Sequence, residues 1–304
     1  MLALTCFAAA RDTMGRRPLA PSRIVRTSVH RSSGSGPRPR RRLGRHAWCQ
    51  GAFAFSALVV LGRPAAAVDA FEIQVYDGTA NEAGEAGLEL HVNGAPDGTR
   101  DAPPPEIPAH HLVHMTLEPS FGLTRSWEIG GYLQTALRPD GQYDFAGAKL
   151  RSKLVTQSGA VRLGINIEVS ALPRAYDRER FGAELRPILA GEGARWAWAV
   201  NPILGFSRET AAPGFEPAAM GVFKIARVAS FGLEYYGDLG PVSSPERPSA
   251  QQHYIFEVAN LLALPCFELN AGVGEGLTSA SSRLIVKVIL GYTFERPTTR
   301  QHTD

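Results

Sequence analysis

The chain has 304 residues, 44% of them hydrophobic and 20% charged, and a formal net charge of +3. Residues 1–67 hold 12 of the 32 Lys and Arg and one of the 29 Asp and Glu, Asp12, so the remainder carries 20 basic against 28 acidic residues, a net charge of −8. The basic excess therefore belongs to the N-terminal region, and the rest has no charge that would favour nucleic acid.

In chain order, Arg38, Arg40, Arg41, Arg42 and Arg45 precede an uncharged apolar run from Ala52 to Leu61 and then Pro64-Ala65-Ala66-Ala67. That order is a charged region, a short apolar region and a small-residue cleavage site, and the apolar run is too short to span a bilayer as a helix. It predicts an export signal cut after Ala67 or Ala70, with residues 1–67 comprising an N-terminal extension and the signal. Cys6 and Cys49 lie in this region, which leaves Cys266 alone and predicts neither an intrachain disulfide nor a cysteine metal site.

Phe71 to Asp77 alternates apolar and polar residues, and residues 68–85 are expected to stay periplasmic or to enter the interior of the fold. From Ala86 onward the alternation recurs. Val161, Leu163, Ile165, Ile167 and Val169 interleave with Arg162, Gly164, Asn166, Glu168 and Ser170. The closing run places Leu284, Val286, Val288, Leu290, Tyr292 and Phe294 on one strand face, opposite Arg283, Lys287, Gly291 and Thr293. No useful stretch carries the helical i, i+3, i+4, i+7 spacing, so the region is all-β.

Alternation alone fits a soluble sandwich as well as a membrane barrel. Loop lengths separate them. Counting back from Phe294, the linkers 275–282, 237–251, 207–214, 171–180, 136–141 and 94–110 alternate with the mostly shorter 261–265, 226–227, 191–194, 155–159, 119–125 and 78–85. Long outer loops and short periplasmic turns characterise outer-membrane barrels. The expectation is an all-β, transmembrane, antiparallel up-and-down β-barrel over residues 86–294. It has about 12 strands, with 14 as the alternative, and a polar, disordered tail over 295–304.

With the apolar face toward lipid, the polar face lines the lumen. Lys149, Arg151, Lys153, Arg162 and Arg186, with Glu168 and Glu184 as exceptions, form an expected basic wall. Glu216, Glu234, Glu257 and Glu268 form an acidic one, and Lys287 lies near it. Such walls either focus a field on a small polar solute or close on each other as salt bridges.

Catalytic patterns are fragmentary. His110, His111 and His114 stand near the outer end of a strand whose other end holds Ser120, so no serine is tied to a histidine by spacing. Gly272-Val273-Gly274-Glu275-Gly276 lacks the Lys and Ser/Thr of a phosphate loop, and the turns Asp97-Gly98 and Asp238-Leu239-Gly240-Pro241 offer no calcium ligand set. The reading is not an enzyme, with no cofactor and no metal.

The chain resembles a group of uncharacterised proteobacterial outer-membrane β-barrel proteins. The resemblance rests on Glu72-Ile73-Gln74-Val75-Tyr76-Asp77, Gly87-Leu88-Glu89-Leu90-His91, Lys149-Leu150-Arg151-Ser152-Lys153, Ala199-Val200-Asn201-Pro202-Ile203-Leu204 and Leu233-Glu234-Tyr235-Tyr236-Gly237-Asp238-Leu239-Gly240-Pro241. More loosely it is similar to the barrels of the MetA pathway of phenol degradation. The resemblance implies the outer membrane after signal cleavage and a narrow channel or transporter for small molecules. The alternative is a closed-lumen structural or lipid-modifying barrel. Implied partners are outer-membrane lipids, the barrel-insertion machinery and a small-molecule solute. One departure is the ten residues after Phe294, where such barrels end on an aromatic residue.

Overall fold

The computed structural model describes residues 69–156, 160–178, 180–208, 212–226, 229–264 and 266–294. The predicted signal, residues 1–67, and the tail, 295–304, lie outside the described residues. Twelve strands follow one another: β1 (Ala86–Asp97), β2 (Val113–Thr124), β3 (Trp127–Leu137), β4 (Tyr143–Val155), β5 (Val161–Ala171), β6 (Phe181–Glu192), β7 (Trp196–Ser207), β8 (Gly214–Ala226), β9 (Ala229–Asp238), β10 (Gln252–Leu264), β11 (Phe267–Gly276) and β12 (Leu284–Phe294). Each pairs antiparallel with its sequence neighbours, and β1 pairs with β12 from Ala86↔Phe294 to Asp97↔Leu284, which closes the barrel. Closure removes both sheet edges, the condition for a sheet to cross a bilayer.

The connections differ between the two ends. One end carries 98–112, 138–142, 172–180, 208–213, 239–251 and 277–283; the other carries 125–126, 156–160, 193–195, 227–228 and 265–266. The outer wall is apolar, with Leu133 53%, Leu150 67%, Ile167 47%, Leu189 41%, Leu233 53% and Val273 53% exposed. Aromatic residues stand at both rims. Trp127, Trp196, Trp198, Phe231 and Phe294 are exposed near the short-turn end, and Tyr143, Phe145, Phe181 and Phe206 near the other. Two aromatic girdles bounding an apolar band are the lateral surface of a transmembrane barrel.

Residues 69–85 add no strand and run through the lumen. Phe71 meets the His114 ring edge-on, 4.5 Å between centroids, near the long-loop end. The Asn81 side chain donates to Ser120 Oγ at 2.8 Å near the short-turn end. The segment then turns into β1. Gly122 permits this turn, because a Cβ there would stand 2.2 Å from the carbonyl oxygen of Glu82.

One expectation is corrected. Glu257 faces outward and is exposed, since its register partners are the exposed Leu233 and Val273. Strand β10 is inverted relative to the rule that the apolar face meets lipid. Its Tyr254, Phe256 and Val258 point inward and pack in one cluster with Ile73 and Val75 of the threaded segment.

Val288 lies on the outward face of β12, between Val92 and Ala271. Val288→Arg is predicted to cost about 2–4 kcal/mol near the midplane of a bilayer. Reversible urea unfolding in lipid vesicles measures it, and an unchanged midpoint would show that this face does not meet hydrocarbon.

Candidate functional site

The site is the lumen, and its organising element is the segment from Asp69 to Asn81. An extended chain with no strand partner must satisfy its backbone polar groups elsewhere. Here side chains from the barrel wall do so. Asn93 Nδ2 donates to the carbonyl of Ala70 at 2.9 Å, Thr116 Oγ1 to that of Phe71 at 2.8 Å and Lys287 Nζ to that of Ile73 at 3.0 Å. Arg186 donates to the carbonyl of Gln74 at 3.3 Å and Arg162 Nε to that of Asp77 at 3.0 Å. Asn201 grips Tyr76 on both sides, accepting from its N–H at 2.7 Å and donating to its carbonyl at 3.0 Å. These side chains come from six strands, β1, β2, β5, β6, β7 and β12, one residue from each.

The charges form closed groups around this core. Arg151 bridges Glu118 and Glu128, each at 2.6 Å, and Lys153 adds a second contact to Glu128 at 2.9 Å. Glu128 also accepts from the backbone N–H of Asn81 at 2.6 Å. Arg186 pairs with Glu184 at 2.7 Å, approaches Glu72 at 3.7 Å and lies over the Tyr76 ring, 4.4 Å from its centroid. The Tyr76 hydroxyl donates to Glu72 at 2.8 Å and sits 2.8 Å from the Tyr132 hydroxyl. Lys149 pairs with Asp69 and lies 3.5 Å from Glu168. Lys287 pairs with Glu234 at 2.5 Å. Buried ions carry a large desolvation cost that only partners offset, and these have partners.

Of the sequence candidates, Lys149, Arg151, Lys153, Arg162, Glu168, Glu184, Arg186, Glu234 and Lys287 thus meet within the lumen. Glu216 is inward beside Gly205, and Glu268 is inward at the short-turn mouth, opposite Gly291. Glu257 is outside. The basic residues of β4 to β6 do not face an acidic wall across a gap. Their partners are acids on the same strand, on nearby strands and on the threaded segment. Glu118 and Glu128 were missed, although His114, Thr116, Glu118 and Ser120 alternate with Met115, Leu117 and Phe121. Asn93, Tyr132 and Asn201 were missed because neutral polar residues on an inward face carry no distinctive spacing.

The segment divides the lumen. Ala70 and Ile73 line a cavity of about 450 Å³ at the long-loop end, with Asn93, His114, Tyr176 and Tyr254 in its wall. Gln74 to Thr79 line a second, of about 340 Å³, toward the short-turn end, with Arg151, Lys153, Glu234 and Lys287 in its wall. No described residue lines both. His111 lies in the 98–112 connection with its ring 3.9 Å from that of His110, while His114 is buried against Phe71. Ser120 is at the far end of β2, held by Asn81, so these histidines and this serine do not assemble.

Comparison with known proteins agrees on the fold. An outer membrane channel from Pseudomonas putida F1 superposes with a TM-score of 0.51 at 12% identity, over 73% of this chain and 100% of that one. The fold is that of an outer-membrane channel barrel. The KdgM porin aligns with a TM-score of 0.47 at 10% identity, over 69% of this chain and 99% of that one. No family model matches the chain, and no curated protein matches it.

Removing one partner of a buried ion pair leaves the other uncompensated. Arg151→Met strands Glu118 and Glu128 and is predicted to destabilise the barrel by about 3–5 kcal/mol in urea unfolding. Arg178→Ala, which removes the rim pair with Glu106, is predicted to leave the same midpoint unchanged. Equal effects of the two would contradict the buried network.

Proposed function

We propose that the protein is a narrow outer-membrane channel for small molecules, with the long loops outside, the short turns in the periplasm, and the segment 69–81 as its constriction. The observation that carries this reading is the pair of cavities on either side of a segment held only by side chains. The fold supplies a path from one face of a membrane to the other, and a single removable strip of chain interrupts it. Twelve strands enclose a modest interior, and here side chains and one extended segment fill its waist.

The solute class follows from the cavity walls. The cavity at the long-loop end mixes Asp101, Glu106, Asp177 and Arg178 with Tyr176, Tyr254 and Ile107, a lining suited to a small, partly apolar molecule with a polar group. The likeness to barrels of the MetA pathway, stated from sequence, is in keeping with such a solute.

A closed structural barrel is the second reading, and it is favoured by the number of wall side chains that hold the segment's carbonyls. Planar-bilayer recordings separate the two. The channel reading predicts small conductance for the full chain and an increase of severalfold when residues 71–79 are replaced by a short Gly/Ser linker. Silence in both, with the barrel folded, would establish the closed reading.

A further inference from the structure

Beside the constriction, β1 and β2 place Glu89 directly opposite Glu118, both inward. Like charges directly opposite on an antiparallel pair repel. His91, two residues from Glu89 and on the same face, turns its Nε2 toward both, 3.3 Å from Glu89 Oε2 and 3.2 Å from Glu118 Oε2. Its side chain is fully buried, and neither ring nitrogen has a hydrogen-bond partner among the described residues, nor has Glu118 Oε2. The other oxygen of Glu118 is taken by Arg151 at 2.6 Å. Glu89 makes no ion pair with a Lys or Arg among the described residues.

We infer that Glu89, His91 and Glu118 form a binding site for a divalent first-row metal ion. One nitrogen and two oxygen donors lie within 4.8 Å of one another. Metal bonds of about 2.1 Å in tetrahedral geometry set donors about 3.4 Å apart, close to the two distances from the imidazole. An imidazole with two carboxylates suits zinc and its neighbours rather than calcium or magnesium, which take oxygen donors alone. A cation at this point also removes the repulsion between the paired carboxylates.

The site borders the threaded segment. Gln74 donates to Glu89 Oε2 at 3.3 Å, and a half-turn of its amide would present the oxygen as a fourth donor. An ion bound here would therefore tie the segment to the wall. The assignment does not depend on conduction.

Purified full-length protein in detergent, stripped with EDTA, is titrated with Co²⁺ as a spectroscopic probe and with Zn²⁺ in equilibrium dialysis. One ion per chain is expected, with visible Co²⁺ absorption bands. Binding should weaken at least tenfold in His91→Ala and in Glu89→Gln. The second variant leaves the ion pairs of Arg151 intact, and heat-modifiable mobility in gels reports that each barrel remains folded. Failure of the wild type to retain either ion, or wild-type affinity in Glu89→Gln, would overturn the site. So would His91 carrying protons on both ring nitrogens at saturating Zn²⁺, because that imidazolium would bridge the carboxylates itself.

Discussion

An extended segment inside a barrel has no strand beside it, yet its peptide groups cannot be left without partners in a buried interior. This constraint shapes the lumen. Asn93, Thr116, Arg162, Arg186, Asn201 and Lys287 each spend a donor on a carbonyl between Ala70 and Asp77. The wall side chains that a water-filled pore would leave hydrated are instead committed to one stretch of chain. The cations among them then require anions, which Glu72, Glu184 and Glu234 supply at the same level.

The same constraint accounts for the inversion of β10. Ile73 and Val75 are buried, and burying them requires an apolar patch on the inner wall. Tyr254, Phe256 and Val258 provide it, which sends Glu257 outward. Apolar packing and ion pairs therefore share the lumen, and the Lys287–Glu234 pair lies against the rings of Tyr236 and Phe256. The two cavities remain on either side of the waist that the segment and its contacts fill.

The architecture was legible in the sequence because period-two alternation and alternating linker lengths are properties of each strand and loop alone. Val161 to Ser170 and Leu284 to Phe294 each declare an inner and an outer face without reference to anything else. The interior was less legible. Whether Lys149 answers an acid across the lumen or one on the threaded segment depends on where residues 69–81 lie, and no local pattern states that. Glu257 misled because a charge on an alternating strand points to the lumen only when the interior is polar at that position. Glu89, His91 and Glu118 come together through the register of β1 against β2, which sequence spacing does not specify.

The central claim is that the wall holds the segment's backbone in the lumen, and amide hydrogen exchange tests it most directly. The Tyr76 N–H, bonded to Asn201, has no strand partner and would exchange quickly in a free chain. In folded protein in detergent, slow exchange at Tyr76 is expected, and it should become fast in Asn201→Ala while the strands stay protected. Fast exchange at Tyr76 in the unaltered protein would contradict the account.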